Sequence, residues 1–295
     1  MVRLHKQSNT KRYNIKGGVQ TSKFFIQCQD PANIEEWLTN SEPIDVNLER
    51  AIVKAVIQDD RVTATNVVVK LSESLTIQKE YDISQALKDT PGFIAFICVT
   101  MCRDDLRRYH TSVKFCSDNP TDPETNLLVM PYISGGSMRA YKWDGHPDQL
   151  VACLLQLIAS LATAFTQHGF LHSDIHLDNV LLRPTKKTSF IYASFGKVPA
   201  VGYQVCIMDF DRSFIGVNRT HTAEFYKDIQ KVFHELTYTM RLDYTHQANI
   251  AAFLNERAYH NAPMDDLHQL LAMLRTITSV FTRQMPTLVY NPSVY

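Results

Sequence analysis

Between Gly169 and Leu182 the chain reads Gly-Phe-Leu-His-Ser-Asp-Ile-His-Leu-Asp-Asn-Val-Leu-Leu. An Asp stands two residues after a His, an Asn five residues after that Asp, and apolar residues lie on both sides. Just before it, Asp148 to Gln167 carries Leu150, Val151, Leu154, Leu155, Ile158, Leu161, Ala162 and Phe165, a broad apolar face at helical period. Gly169 ends that helix. A long core helix therefore delivers a polar loop to the edge of the apolar interior.

A second acidic stretch, Val205-Cys206-Ile207-Met208-Asp209-Phe210-Asp211, follows 35 residues after Asp174. Phosphoryl transfer from a nucleotide asks little of a protein. One carboxylate orients the attacking hydroxyl, while an Asn and a second carboxylate hold Mg²⁺ against the phosphates. Asp174, Asn179 and Asp209 supply that set in order. The two stretches resemble the catalytic and magnesium loops of the protein kinase superfamily, H-x-D-x-x-x-x-N followed by D-F-G. The long gap is similar to that of haspin and of divergent kinases of large DNA viruses, and Arg183 to Gln204 within it reads as an enlarged hairpin.

The resemblance extends outward. Asn66-Val67-Val68-Val69-Lys70-Leu71 reads as a strand and is similar to the kinase strand V-A-I-K, whose Lys grips the α- and β-phosphates and pairs with a Glu on the next helix. That helix is expected over Leu75 to Leu87, with Glu80 as the partner of Lys70 and Glu73 as the alternative. Pro91-Gly92 ends it, and Phe93 to Met101 reads as an apolar strand. Asn126 to Gly136 looks like the last strand and hinge, with the backbone from Pro131 to Ile133 on the adenine edge. The resemblance implies that Val68, Lys70, Met130, Tyr132, Ile133 and Leu181 bind the nucleotide. It makes Asp174, Lys70, Glu80 and His176 catalytic, His176 standing where serine/threonine kinases have Lys, and makes Asn179 and Asp209 the Mg²⁺ ligands. His172 would pack on Phe210, and Asp228, opening a helix from Glu224 to Leu236, would brace the loop backbone.

Four departures qualify the match. Gly17-Gly18 is the only candidate for a glycine-rich phosphate loop, and it lies 52 residues before Lys70. Ser173 stands where the family has an Arg that pairs with a phosphorylated loop. Only 19 residues separate Asp209 from Asp228, too few for a full substrate-docking segment. Asp211 replaces Gly, as in some bacterial sugar kinases that look similar.

The fold expected is α+β and bilobal: a basic tail over residues 1–18, a small antiparallel lobe with insertions over 19–130, a hinge over 131–136 and a helical lobe over 137–295. Three activities are open. The leading one is ATP- and Mg²⁺-dependent transfer to a Ser or Thr hydroxyl of a protein. A pseudokinase serving as a binding module and a kinase of a small metabolite or sugar are the alternatives. Thirty basic and thirty acidic side chains cancel, so charge gives no argument for nucleic acid or a membrane as partner. No apolar run approaches the roughly 20 residues a membrane helix needs. The six cysteines form no C-x-x-C pair and read as reduced thiols of an intracellular, cytoplasmic or nuclear, protein; the virus-like features raise a viral origin. Lys23 to Cys28 reads as a strand, Ile34 to Leu38 as a helical turn, Val46 to Gln58 as a helix, and Ile250 to Leu254 and Leu267 to Phe281 as helices.

Overall fold

The computed structural model describes residues 38–260, apart from 47–49, 60–61, 75, 104–114, 117–118, 144–145, 194, 219, 221 and 241–243, together with residue 269. The expected strand at 23–28, the glycine pair at 17–18 and the helix at 267–281 lie outside the described residues, as does the expected turn at 34–38 except for its last residue.

The chain is a mixed α+β protein. Strands β1 (Leu38–Val46), β2 (Arg50–Asp59), β3 (Val62–Ser72), β4 (Cys98–Arg103) and β5 (Glu124–Pro131) form one antiparallel sheet in the order β1-β2-β3-β5-β4. Pro43 sits on the edge strand β1, beside an irregularity in its pairing with β2, where a missing N–H is tolerated. Alternation decides the faces. Val67, Val69 and Leu71 of β3 join Ala51, Val53, Ala55 and Ile57 of β2 and Leu127 and Val129 of β5 in one buried cluster. Leu128 and Met130 turn the other way, into the main core that Val68 also touches.

This alternation overturns the helix expected over Val46 to Gln58. Ile52, Val53, Val56 and Ile57 do recur at helical spacing. Yet residues 51, 53, 55 and 57 are buried while 52, 54 and 56 are only partly so, which is the period of a strand. Pairing with β3 from Arg50↔Ser72 to Asp59↔Val62 overrode the local pattern. The strand expected over Phe93 to Met101 is also corrected. It begins at Cys98, and Phe93, Ile94 and Phe96 instead pack into the main core.

Helix α1 (Thr76–Ala86) follows β3 and packs on β4 and β5. Helix α2 (Pro147–His168) starts with Pro147, whose absent N–H is harmless in a first turn. It ends on Gly169 at φ +60°, with the N–H groups of Gly169 and Phe170 returning to Phe165 and Ala164. Residues Asp148–His168 have a length and mean hydropathy (1.7) that would also suit a membrane span. Here 89% of that window is buried within the fold. Gln156, fully buried on α2, donates to the carbonyls of Pro199 and Tyr203 and accepts from Val205 N–H. One polar side chain thereby satisfies the strand edges lying against an apolar helix.

Strands β6 (Val180–Pro184) and β9 (Tyr203–Ile207) pair antiparallel, and between them the hairpin β7 (Ser189–Tyr192)–β8 (Gly196–Pro199) is inserted. The enlarged hairpin expected there is present. Helices α3 (Ala223–Met240) and α4 (Tyr244–His260) complete the layer and pack on each other. The six-thiol expectation fails: Cys102 and Cys116 are joined by a disulfide with Cα atoms 5.4 Å apart, and Cys98 is disulfide-bonded as well. Cys153 and Cys206 are free and buried.

Candidate functional site

Lys70 reaches its position through strand parity. Its neighbours Val69 and Leu71 enter one core, so its own side chain projects from the opposite face of the sheet. There Lys70 Nζ donates to Glu80 Oε1 of α1 at 2.7 Å and to Asp209 Oδ1 at 2.9 Å. Glu80 is 1% exposed. A one-residue slip of β3 would send Lys70 into the other core.

The ionisations follow from burial and pairing. Burial by itself would lower the Lys70 pKa, but Glu80 and Asp209 beside it raise it. Burial pushes the Glu80 carboxyl up to about 7 against the pull of Lys70, and its Oε2 atom is buried with no hydrogen bond. Asp209 moves the other way. Burial opposes its charge, yet Lys70, with His172 and Arg50 adding, brings its pKa below the ordinary carboxylate value.

Asn179 and Asp209 come off the same ladder end. Val180 pairs with Ile207, and one step on Met208 N–H donates to Asn179 C=O at 3.0 Å. Asn179 Nδ2 then donates to the Asp174 carbonyl at 3.1 Å, tying Asp174 to that end. The side-chain oxygen of Asn179 and Asp209 Oδ2 make no hydrogen bond among the described residues. Both are hard oxygens of the type a small divalent cation takes. No cluster of three or more His, Cys, Asp or Glu that could hold a metal occurs among the described residues.

The loop carrying Asp174 is held from α3. Asp228 Oδ2 accepts from His172 N–H at 2.9 Å and Ser173 N–H at 3.0 Å, and Lys231 Nζ donates to Ser173 C=O. Ser173 has φ +63° and Asp209 φ +66°. Left-handed backbone at a non-glycine residue costs on the order of 1–2 kcal/mol, so the surrounding bonds must impose it. His172 adds a tie, its Nε2 lying 3.0 Å from Met208 C=O. Burial lowers the His172 pKa against the pull of the nearby acids. Phe210 packs among Phe93, Phe96, Phe170 and His172, with the His172 ring centroid at 5.9 Å. The packing of His172 on Phe210 and the bracing by Asp228 are both present.

The next turn is held separately. Glu235 Oε2 accepts from Leu177 N–H at 2.7 Å, and Arg139 bridges Glu235 Oε1 and Asp178 Oδ2. His176 is a third exposed, and its Nδ1 lies 3.9 Å from Asp178 rather than against Asp174. Asp174 is 38% exposed and faces Arg212 at 3.7 Å.

A cleft of about 350 Å³, open to solvent, is lined by Arg50, Ile52, Val68, Lys70, Glu80, Met130, Met208 and Asp209. Three expected lining residues lie off it. Ile133 is buried in the main core, Leu181 packs against that core's edge, and Tyr132 is 36% exposed with Lys54 over its ring at 5.1 Å. Tyr132 N–H is taken by Asn66 C=O, whereas Ile133 N–H has no partner among the described residues. Sequence reasoning missed Arg50, Ile52 and Met208 because the strand containing the first two was read as a helix. Period-two burial was the signal that would have found them. It missed Arg139, Glu235 and Arg212 because nothing local marks an ion pair spanning 96 residues.

No protein-family model matches the chain, and no curated protein matches it significantly.

Proposed function

We propose that the chain is a divergent member of the protein kinase superfamily, two-lobed about residues 131–136, that transfers phosphate from ATP to a hydroxyl, a protein Ser or Thr being the leading acceptor. The observation that carries this reading is the Glu80–Lys70–Asp209 chain, two ion pairs linking a strand, a helix and a loop across 139 residues. A purely structural role accounts poorly for it, because a buried charge cluster is weak support for stability.

In this reading the adenine lies against Ile52, Val68 and Met130. Lys70, fixed by Glu80, neutralises phosphate charge. The residues fit a magnesium ion: Asn179 and Asp209 offer two unbonded hard oxygens, and such ions take one or two protein groups plus phosphate oxygens. Bound there, the ion would offset the charge building on the phosphates. Asp174, held by Asn179 and by the braced loop, orients the acceptor hydroxyl and receives its proton as its oxygen bonds to the terminal phosphorus of ATP and the bond from that phosphorus to the bridging oxygen breaks, releasing ADP. Asp174 is partly exposed beside Arg212, which leaves it within reach of an incoming acceptor. The kinase of a small acceptor remains the closest alternative, favoured by the short segment from Arg212 to Thr222. A nucleotide-binding module without transfer is favoured by the position of the one candidate glycine pair, Gly17-Gly18, 52 residues before Lys70.

The test is phosphate transfer from labelled ATP to a panel of proteins and small alcohols, with melting followed against ATP and Mg²⁺. Wild type should transfer label, and Asp174→Asn should lower the rate by roughly 10²-fold or more while retaining the ATP-induced rise in Tm. Transfer unaffected by Asp174→Asn would overturn the reading. A Tm rise with no transfer to any acceptor would select the module.

A further inference from the structure

We infer that Arg50 is the residue that binds the terminal phosphates, its side chain standing on the cleft one strand step beyond the Ile52–Lys70 pair. The inference rests on the nucleotide reading above and specifies how the far end of that ligand is held.

The placement comes from register. Arg50 pairs with Ser72, Ile52 with Lys70 and Lys54 with Val68. Ala51, Val53 and Ala55 are fully buried on one face. Arg50, Ile52 and Lys54 therefore share the other, on which Val68 and Lys70 also lie. Arg50, Ile52, Val68 and Lys70 all line the cleft. The strand face is thus ordered along its length: Lys54 over Tyr132 at one end, apolar Ile52 and Val68 in the middle, Arg50 at the other. A flat apolar base fits the middle, and its anionic tail then runs past Lys70 towards Arg50. Residues two apart on a strand are separated by about 7 Å, so Arg50 meets phosphates beyond those that Lys70 reaches.

The chemistry suits the place. A guanidinium offers a planar fork that matches phosphate oxygens two at a time. One of its contacts is with Asp45: Arg50 Nη2 lies 3.3 Å from Asp45 Oδ2, with both side chains nearly half exposed, and an exposed pair of this kind contributes little by itself. Asp45, opposite Ile52 on β1, positions the guanidinium over the cleft mouth. The charge of Arg50 is also felt by Asp209 inside the cleft.

The experiment is a calorimetric titration with ATP, ADP and AMP in Mg²⁺ on wild type, Arg50→Gln, Arg50→Lys and Lys54→Ala. Arg50→Gln should weaken ATP binding by roughly 10- to 100-fold, the range for a charge-assisted contact, and AMP binding by less than about 3-fold. Arg50→Lys, which keeps charge but loses the fork, should fall between. Lys54→Ala, on the same face at the other end, should leave the ATP-to-AMP ratio unchanged. Melting curves of all four confirm folding, and a misfolded Arg50→Gln leaves Arg50→Lys to decide. Equal ATP-to-AMP ratios in wild type and both Arg50 variants would overturn the assignment while leaving the nucleotide reading intact. Failure of wild type to bind any of the three nucleotides would overturn both.

Discussion

Asp228→Ala removes the acceptor that two consecutive backbone N–H groups share. His172 is wholly buried, so its N–H loses the one partner it has among the described residues with no water to replace it, at about 1–3 kcal/mol. Ser173 is partly accessible, and water recovers part of its bond, leaving about 1 kcal/mol. Ser173 then has less to hold it at φ +63°, and relaxation of that residue returns some of the loss. The net expectation is a fall of about 2–3 kcal/mol in unfolding free energy. Relaxation also moves Asp174, the next residue, so any hydroxyl-directed activity should fall more than stability does. Asp228→Asn keeps one acceptor oxygen for both N–H groups and should recover at least half the stability. Urea unfolding of the three proteins measures this from the midpoint at unchanged slope. An alanine variant within about 0.5 kcal/mol of wild type would show that the α3-to-loop bonds do not hold the loop.

Two further expectations concern ionisation and covalent linkage. Glu80 has a folded pKa of about 7 against an ordinary 4.5, so between those values the native state binds a proton that the unfolded chain has released. Stability should therefore fall as pH rises from about 4.5 to 7, by on the order of 3 kcal/mol. In Glu80→Gln that decline should vanish from urea unfolding measured across the window; an unchanged slope would sink the assignment. The pairing of Cys102 with Cys116 closes a loop with a sequence separation of 14, a constraint on the unfolded chain worth about 3 kcal/mol. Cys102→Ser should lower Tm under oxidising conditions and leave it unaltered in reducing buffer, as differential scanning calorimetry would show.

Much of the helical layer was legible because its signals are local. The apolar face of α2 and the glycine that stops it, the helix start near Asp228 and the extra hairpin before β9 each depend on residues close in sequence. Lys70 and Glu80, ten residues apart, could be paired by analogy with a known spacing. The β1–β2 hairpin could not. Apolar residues at 52, 53, 56 and 57 satisfy a helical and an extended spacing alike, and only the partner strand distinguishes them.

The sequence by itself determined which polar groups stand at the ends of which apolar segments, since hydrophobic period and chain-stopping residues act over a turn or two. Only the tertiary structure decided which of those ends meet. Strand pairing turned Arg50 and Lys70 onto one face, and the β6–β9 ladder brought Asn179 to Asp209. α3 closed on the loop through Asp228. Contacts of that kind depend on register and packing between distant segments, a physical choice that leaves no mark on either segment alone.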